Sequence, residues 1–354
     1  MFDVQKLVRD NIKNLSPYSS ARDEFSGMAK VFLDANENSF GSPLTKWYNR
    51  YPDPHQVAIK AALSVIKSVP AEQIFIGNGS DECIDLLFRS FCAPGKDNVI
   101  ICPPTYGMYE VSASINNIQM TRVNLTETYQ LDVKGIKKSI KPNTRLIFLC
   151  SPNNPTGNKL NRSDIYEVIN SFQDGFVVID EAYIDFSDEP SFIGELQKFP
   201  QLIVLQTLSK AYGLASLRLG MAFANPTIIN LLNKIKPPYN IGGATQRLVQ
   251  KALGNSQFVT ESIQQLKINK EILINGLKNI KGVSTIFHSD ANFILVKFIR
   301  AQELFDYLIS QKIIARNRSN VELCNDSIRI TIGLESENKE LIQKIKIFYT
   351  ENNV

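Results

Sequence analysis

Histidine is scarce in this sequence, and its scarcity excludes several kinds of catalytic site. The 354 residues include two histidines, His55 and His288. A histidine-based zinc site needs several imidazoles, and a Ser-His-Asp triad needs one beside its nucleophile. Neither histidine lies in a recognisable motif, so we interpret both as structural residues. We therefore expect no metal centre.

Cysteine pairs, apolar spans and excess charge are missing as well. The five cysteines form no CxxC motif, and most lie in apolar runs, which favours buried, reduced thiols. No apolar run approaches the roughly 20 residues that span a bilayer, and the N-terminus carries charges where a signal peptide is apolar. The net charge of +4 gives no reason to expect nucleic acid as a partner. We expect a cytoplasmic protein without a membrane or nucleic-acid partner.

Short β-branched runs alternate with helical segments over about residues 73–225. These runs are continuously apolar, as expected of strands that are buried on both faces of a sheet. The pattern predicts an α/β domain with a mostly parallel central sheet flanked by helices, in which ligands bind at the carboxyl ends of the strands. The predicted strands cover residues 73–77, 98–102, 146–150, 176–180, 202–206 and 219–223.

The sequence pattern divides the chain into three parts. Residues 1–40 contain a charged amphipathic segment, which we expect to pack on the smaller domain or on a partner subunit. Residues 41–245 form the predicted large domain. Beyond a pair of prolines, a long helical stretch over about residues 245–278 leads into a smaller α+β domain, so residues 246–354 are the predicted connecting helix and C-terminal domain.

Four motifs follow predicted strands, and each has an ordinary structural explanation when it stands alone. Residues 77–82 form a glycine-containing turn before a helix, where the backbone N–H groups of Ser80 and Asp81 can bind an anion. Residues 151–157 form a turn held by prolines that presents two adjacent carboxamides, including that of Asn154. Alone, either motif is typical of a simple turn.

The third and fourth motifs carry ionisable groups. Asp180 ends an apolar strand, where a desolvated carboxylate needs a cationic partner, and Tyr183 can bring a phenol to the same side. Lys210 follows another buried strand and precedes Arg218, and an amine held there with a lowered pKa can act as nucleophile and base. The alternatives are a capping residue or an acidic metal site for Asp180, and a surface lysine for Lys210.

Together the four motifs provide the groups that catalysis by pyridoxal phosphate (PLP) requires. This cofactor needs a lysine for its imine and an acid opposite the pyridine nitrogen, which keeps the ring able to accept electrons. It also needs a hydrogen bond at the ring hydroxyl and a phosphate site of backbone N–H, hydroxyl and arginine groups. The combination therefore indicates PLP as the cofactor.

The motifs resemble those of the fold-type I, class II aminotransferases, and the resemblance covers nearly the whole chain. It is carried by Ser-Pro-Asn-Asn-Pro-Thr-Gly at 151–157, Asp-Glu-Ala-Tyr at 180–183, Thr-Leu-Ser-Lys-Ala-Tyr-Gly-Leu at 207–214, and Arg218. Arg-Tyr-Pro-Asp-Pro at 50–54 is similar to the histidinol-phosphate branch of that family. The resemblance implies a PLP-dependent transferase fold of type I, with a large PLP-binding domain and a smaller α+β domain.

The resemblance implies a role for each motif residue at the cofactor. Lys210 would carry PLP as a Schiff base and shuttle the substrate proton, and Asp180 would pair with the pyridinium. Tyr183 and Asn154 would bond the ring hydroxyl, while Tyr106 would stack on the ring. The groups implied at the cofactor phosphate are the backbone of Ser80 and Asp81 and the side chains of Thr207, Ser209 and Arg218.

The resemblance also implies a substrate site and a second subunit. Arg329 would bind the anionic end of the substrate and Arg316 its phosphate. Tyr51 would reach the cofactor phosphate of the neighbouring subunit, which implies a homodimer. The alternative for Arg316 and Arg318 is a solvated edge strand, and this alternative is the stronger for Arg318. The implied substrate residues are Tyr18, Asn36, Arg316 and Arg329.

The resulting prediction is a transamination between L-histidinol phosphate and 2-oxoglutarate that forms imidazole-acetol phosphate and L-glutamate, a step of histidine biosynthesis. Two alternatives share the scaffold, an aromatic amino-acid transaminase and a PLP-dependent decarboxylase of a phosphorylated amino acid. A third alternative, a ligand-sensing domain of a regulator, is disfavoured because Lys210, Asp180, Tyr183 and Arg218 are all present.

Overall fold

Two β-sheets, each with its own hydrophobic core, organise the part of the chain that the computed structural model describes, residues 2–18, 30–44 and 46–352. The larger sheet has seven strands, β1 (Ile74–Asn78), β2 (Asn98–Ile101), β3 (Gln119–Arg122), β4 (Thr144–Cys150), β5 (Phe176–Asp180), β6 (Leu202–Thr207) and β7 (Leu219–Ala224). The smaller sheet has four strands, β8 (Val283–Ile286), β9 (Phe293–Phe298), β10 (Arg316–Asn317) and β11 (Ser327–Thr331).

The larger sheet is mostly parallel, as the sequence predicts. Its strand order is β3-β2-β4-β5-β6-β7-β1, and β7 alone runs antiparallel to both of its neighbours. All six predicted strands are present, because their continuous apolar runs are buried on both faces. The edge strand β3 was not predicted, since its residues are largely exposed and give no apolar run.

Helices cover both faces of the larger sheet and one side of the smaller one. Buried side chains of α3, α6, α7 and α9 form one core with the larger sheet, and those of α1, α2, α4, α5 and α8 form the opposite core. A third core joins the smaller sheet to α10, α11 and α12. The helices are α1 (Val4–Leu7), α2 (Asp10–Lys13), α3 (Val57–Lys67), α4 (Gly79–Phe91), α5 (Met108–Ile115), α6 (Val133–Ser139), α7 (Arg162–Ser171), α8 (Pro226–Ile235), α9 (Gly243–Leu253), α10 (Ser256–Lys278), α11 (Ala301–Ser310) and α12 (Glu335–Glu351).

The start of the chain lies on the large domain rather than on the smaller one. Val4, Val8 and Ile12 are buried in the core that contains Phe88, because their spacing places three apolar side chains on the same side of α1 and α2. The expected packing of residues 2–13 on the smaller domain is therefore wrong. Residues 19–29 of the expected segment lie outside the described residues, and packing on a partner subunit stays a prediction for residues 30–40.

The long helical stretch expected over residues 245–278 is two helices, α9 and α10. Gly254 and Asn255 separate them, and both residues have low helix propensity. Val249 and Leu253 of α9 are buried in a core of the larger sheet. The large domain thus extends to Leu253, and the smaller domain begins with α10 rather than at residue 246.

The cysteines behave as the sequence predicts, since all five are buried and free. Among the described residues, no helix combines the length and the apolar character needed to cross a bilayer.

Gly220 lets β7 pass close to the first turn of α4. It lies opposite Thr207 on β6 and Gly77 on β1. A Cβ atom at this position would come 2.1 Å from the backbone nitrogen of Ser80 and 2.3 Å from the carbonyl carbon of Gly79. Backbone atoms cannot move aside as a flexible side chain does, so the position of the Gly79–Ser80 turn depends on this glycine.

We predict that Gly220→Ala lowers the free energy of unfolding by about 1–3 kcal/mol, the usual cost of overpacking a filled site. Urea denaturation measures the change. Gly194→Ala is the matched control, because a Cβ there meets no atom within 4 Å. That variant should unfold at the same urea concentration as the wild type or slightly higher. Equal stability of the two variants would contradict the prediction.

Candidate active site

A cavity of about 670 Å³ opens at the carboxyl ends of β4, β5 and β6. Every residue predicted to bind the cofactor within its own subunit lines this cavity, and so do Arg316 and Arg329 from the smaller sheet. This is where an α/β sheet is expected to bind its ligand. The sequence motifs therefore come together at one place, between the two sheets.

The carboxylate of Asp180 is buried at the end of β5, with 2% of the residue exposed. Its Oδ2 accepts a hydrogen bond of 2.7 Å from the phenol of Tyr109, and its Oδ1 accepts one of 3.1 Å from the backbone N–H of Ala182. Burial raises the pKa of Asp180, and these two hydrogen bonds oppose the rise. Both donors are neutral, so neither supplies a positive charge to balance the carboxylate. A cationic group in the cavity would supply one.

Tyr109 is a residue that the sequence analysis missed. It is fully buried on α5, and its ring stacks on Phe148 with the centroids 4.7 Å apart. A buried tyrosine needs a partner for its hydroxyl, but the partner, Asp180, lies 71 positions along the chain. No local pattern in the sequence indicates that pairing.

Lys210 follows β6 and faces the same cavity. Its Nζ lies 5.5 Å from the centroid of the Tyr183 ring. Burial and the charge of Arg329 lower the pKa of Lys210, while Asp180 acts in the opposite direction. A lowered pKa increases the fraction of neutral amine, which is the nucleophilic form. Tyr183 is buried, and its ring meets Phe293 edge to face at 5.1 Å.

The first turn of α4, which begins at Gly79, contains Ser80 and Asp81 and has features that suit an anion. The turn is joined to the loop before β7, because the N–H of Gly79 donates to the carbonyl oxygen of Arg218 at 2.8 Å. Nη2 of Arg218 lies 3.6 Å from Oδ2 of Asp81. Free N–H groups at a helix start and a nearby guanidinium together favour a phosphate.

Two further features belong to this candidate anion site. The hydroxyls of Thr207 and Ser209 lie 3.0 Å apart beside this turn. The carboxylate of Asp81 accepts a hydrogen bond of 2.9 Å from the phenol of Tyr106. Because Tyr106 and Arg218 engage the side chain of Asp81, its backbone N–H is the group that stays a predicted donor to an anion.

Arg329 connects the smaller sheet to the large domain. One of its Nη atoms donates to Oδ1 of Asn154, and its Cζ lies 5.1 Å from the centroid of the Phe293 ring. Burial lowers the pKa of Arg329. Arg316 stands directly opposite Arg329 in the β10–β11 pair. Arg318 also lines the cavity and is half-buried, which argues against the alternative of a solvated edge strand.

Three predicted residues do not reach this cavity within one chain. Tyr51 stacks on Tyr239 with the ring centroids 4.5 Å apart, and with Asn36 it lines a separate cavity of about 600 Å³. Tyr18 is 75% exposed. The roles predicted for these three residues stay predictions.

The donor set of the main cavity fits PLP. A buried carboxylate is available for the ring nitrogen, a lysine for the aldehyde carbon, and a phenol with a carboxamide for the ring hydroxyl. The helix start, the two hydroxyls and Arg218 match the phosphate. These residues belong to separate motifs, and the fold places all of them around one cavity.

Comparison with known proteins agrees with PLP as the cofactor and places the chain in a family. The model of the family "Aminotransferase class I and II" matches residues 29–345. A histidinol-phosphate aminotransferase from Cytophaga hutchinsonii is 49% identical over 347 residues, which cover 98% of this chain and 99% of that protein.

Solved structures share the fold. The histidinol-phosphate aminotransferase from Clostridium acetobutylicum has a TM-score of 0.79 at 24% identity and covers 87% of this chain and 92% of its own. The enzyme from Sinorhizobium meliloti, solved in complex with pyridoxal-5'-phosphate, has a TM-score of 0.78 at 22% identity and covers 90% of each chain. The predicted fold, that of the type I PLP-dependent transferases, is confirmed.

We predict that Tyr109→Phe lowers the free energy of unfolding by about 1.5–3 kcal/mol where Asp180 is ionised, since a hydrogen bond to a buried charge is lost. The Tyr109 bond lowers the pKa of Asp180. Its stabilising effect is therefore present above that pKa and shrinks as the pH falls and the carboxylate is protonated. Urea denaturation of the cofactor-free protein at a series of pH values measures this dependence.

Tyr349→Phe is the control for that measurement. Tyr349 is also buried, but its hydroxyl donates to the neutral carbonyl oxygen of Ile299 at 2.6 Å. Its loss of stability should be the same at every pH in the series. A loss for Tyr109→Phe that is equally independent of pH would show that the bond to Asp180 carries no charge-dependent contribution.

Proposed function

Because the chain belongs to the aminotransferase class I and II family, we propose that it catalyses the PLP-dependent transamination of L-histidinol phosphate with 2-oxoglutarate, a step of histidine biosynthesis. The family uses PLP, and the main cavity has the donors for it. Relatives that match this chain over nearly its whole length bear the same activity in their names.

The observation that carries the proposal is the placement of arginines across the cavity from the reacting groups. Lys210 and Asp180 come from the large domain, while Arg316 and Arg329 come from the smaller sheet. A substrate with an amine at one end and an anion at the other would span this gap. The guanidinium of Arg329 fits a phosphate in one half-reaction and a carboxylate in the other.

The chain's own residues hold and move protons around the cofactor. When bound, PLP supplies an electron sink for the electron pair left at the substrate Cα. Lys210 would take the Cα proton and return it to C4′, the carbon that carries the aldehyde of the free cofactor, which a neutral amine can do. Asp180 would keep the ring nitrogen protonated. Tyr183 and Asn154 would orient the ring hydroxyl, and the bond from Arg329 to Asn154 would link that orientation to the substrate site.

The remaining cofactor residues hold the phosphate and the ring face. In this proposal the backbone of Ser80 and Asp81 meets the phosphate, and Tyr106, fixed by its bond to Asp81, lies against the ring. The phosphate site is completed by Thr207, Ser209 and Arg218.

The proposed enzyme is a homodimer. Tyr51 and Asn36 line a cavity that is separate from Lys210 within one chain, and Tyr51 is half-exposed. A partner subunit would bring Tyr51 to the neighbouring cofactor phosphate, and Asn36 and Tyr18 to the neighbouring substrate. We place the enzyme in the cytoplasm, since its buried, unpaired thiols suit a reducing compartment.

The proposal predicts that the purified enzyme with PLP forms L-glutamate from L-histidinol phosphate and 2-oxoglutarate. Lys210→Ala should lower the rate at least about 100-fold, because it removes the proton carrier. Lys339→Ala is the control, since that lysine pairs with Glu335 on the surface of α12, and it should retain the wild-type rate. An amino-acid assay for glutamate measures all three proteins.

Two results would contradict this function. Faster glutamate formation from phenylalanine than from L-histidinol phosphate would favour an aromatic amino-acid transaminase. Release of carbon dioxide from a phosphorylated amino acid, without glutamate formation, would favour a decarboxylase.

The homodimer predicts complementation between two inactive variants. In a mixed dimer of Lys210→Ala and Tyr51→Ala subunits, one site would have its own Lys210 and the partner's Tyr51. Unfolding and refolding the two variants together should therefore restore about a quarter of the wild-type rate, since about half of the dimers are mixed and each has one intact site. If Tyr51 served its own subunit, the mixture would stay inactive.

A further inference from the structure

Three arginines lie on one face of the smaller sheet. Arg316 and Arg329 are directly opposite in the β10–β11 pair, and opposite residues share a face. Arg318 is two positions beyond Arg316 and keeps the strand pairing, because its N–H donates to the carbonyl oxygen of Ser327 at 2.8 Å. Alternate residues of a strand point to the same side. All three arginines line the main cavity.

Carboxylates do not neutralise these arginines within the described ranges, 2–18, 30–44 and 46–352. Two glutamates, Glu110 and Glu322, line the same cavity, but both pair with Arg122, at 2.8 and 3.8 Å. Like charges that stand opposite each other in a sheet are destabilising. The three arginines therefore give this face of the smaller sheet a positive charge that an anionic ligand would neutralise.

Of the three arginines, Arg318 is the one with a buried hydrogen-bond donor that lacks a partner. That donor is its Nε. Burial, Arg329 and Arg316 all lower the pKa of Arg318, which means that its charged form is held in an unfavourable place. A buried, unpaired donor on a charged group is costly. In a solvated edge strand, water would bond this donor and the cost would not arise. In a ligand-binding site, a bound anion would accept the hydrogen bond and offset the cost.

We propose that Arg318 binds the substrate phosphate together with Arg316 and Arg329, and that this third guanidinium makes the site prefer a phosphate to a carboxylate. The inference rests on the proposed function and adds a specificity-determining residue to it. A phosphate monoester carries a charge of about −1.5 to −2 and three acceptor oxygens at neutral pH. A carboxylate has a single charge and two oxygens, which one guanidinium fork already matches.

The two half-reactions should therefore use the arginines differently. L-Histidinol phosphate would engage all three guanidiniums. A carboxylate of L-glutamate would be bound by the Arg329 fork, with Arg318 contributing little. Arg318 would then set the relative affinity for the two donors without entering the chemistry at Cα.

The experiment is a comparison of KM and kcat for Arg318→Gln with three amino donors. We expect KM for L-histidinol phosphate to rise about tenfold to a hundredfold, as for loss of one charge-assisted contact. KM for L-glutamate should rise less than about threefold, and kcat/KM for L-histidinol, which lacks the phosphate, should not change. Inorganic phosphate should also become a weaker competitive inhibitor.

Two variants accompany this measurement. Arg318→Lys keeps the charge but not the fork, and it should give an intermediate KM for L-histidinol phosphate; it also tests the proposal if Arg318→Gln does not fold. Arg300→Gln is the matched control, because Arg300 lies in the same domain, away from the cavity, and pairs with Glu303. It should leave all three donors unaffected.

Equal rises in KM for L-histidinol phosphate and L-glutamate, or no rise for either, would overturn the role of Arg318 while leaving the proposed function intact. Wild-type enzyme that turns over L-glutamate but not L-histidinol phosphate would overturn the proposed function, and this inference with it. A loss of kcat/KM for L-histidinol as large as that for its phosphate would also count against the inference, since it would indicate general disruption of the site.

Discussion

A carboxylate buried at the end of a parallel strand is the constraint on which the site depends. Burial in the sheet disfavours the charge of Asp180, and the hydrogen bonds from the phenol of Tyr109 and the N–H of Ala182 oppose that effect. Helix α5 must therefore pack so that Tyr109 reaches through the core to β5. The seven-stranded sheet and the helix against it together fix the position of this one carboxyl group.

The second element of the site is supplied by the smaller domain. Its sheet presents arginines to the cavity, and Arg329 donates to Asn154 of the large domain. In the proposed mechanism, this bond joins the group that would bind the substrate anion to the group that would orient the cofactor ring. A shift of the smaller domain would consequently move Arg329 and, through their hydrogen bond, disturb Asn154 as well. Both domains contribute charged groups to the lining of the cavity.

Local patterns were sufficient for much of the fold and for most of the residues that the structure brings together around the main cavity. The buried strands give continuous apolar runs, and Asp180, Lys210 and Asn154 follow those runs directly. Tyr109 was not found because its partner is distant in sequence. The sequence left the position of Arg318 open, because the pairing of β10 with β11 decides which side it faces and a two-residue strand gives no pattern of its own.

The most direct test is the visible absorption spectrum of the purified enzyme with PLP, before and after addition of L-histidinol phosphate without an oxo acid. The account predicts a cofactor band that converts to the band of the aminated cofactor in the wild type and does not convert in Lys210→Ala. A bound cofactor whose band is unchanged by L-histidinol phosphate but converted by an aromatic amino acid would contradict the substrate. A protein that shows no cofactor band after incubation with PLP would contradict the central claim.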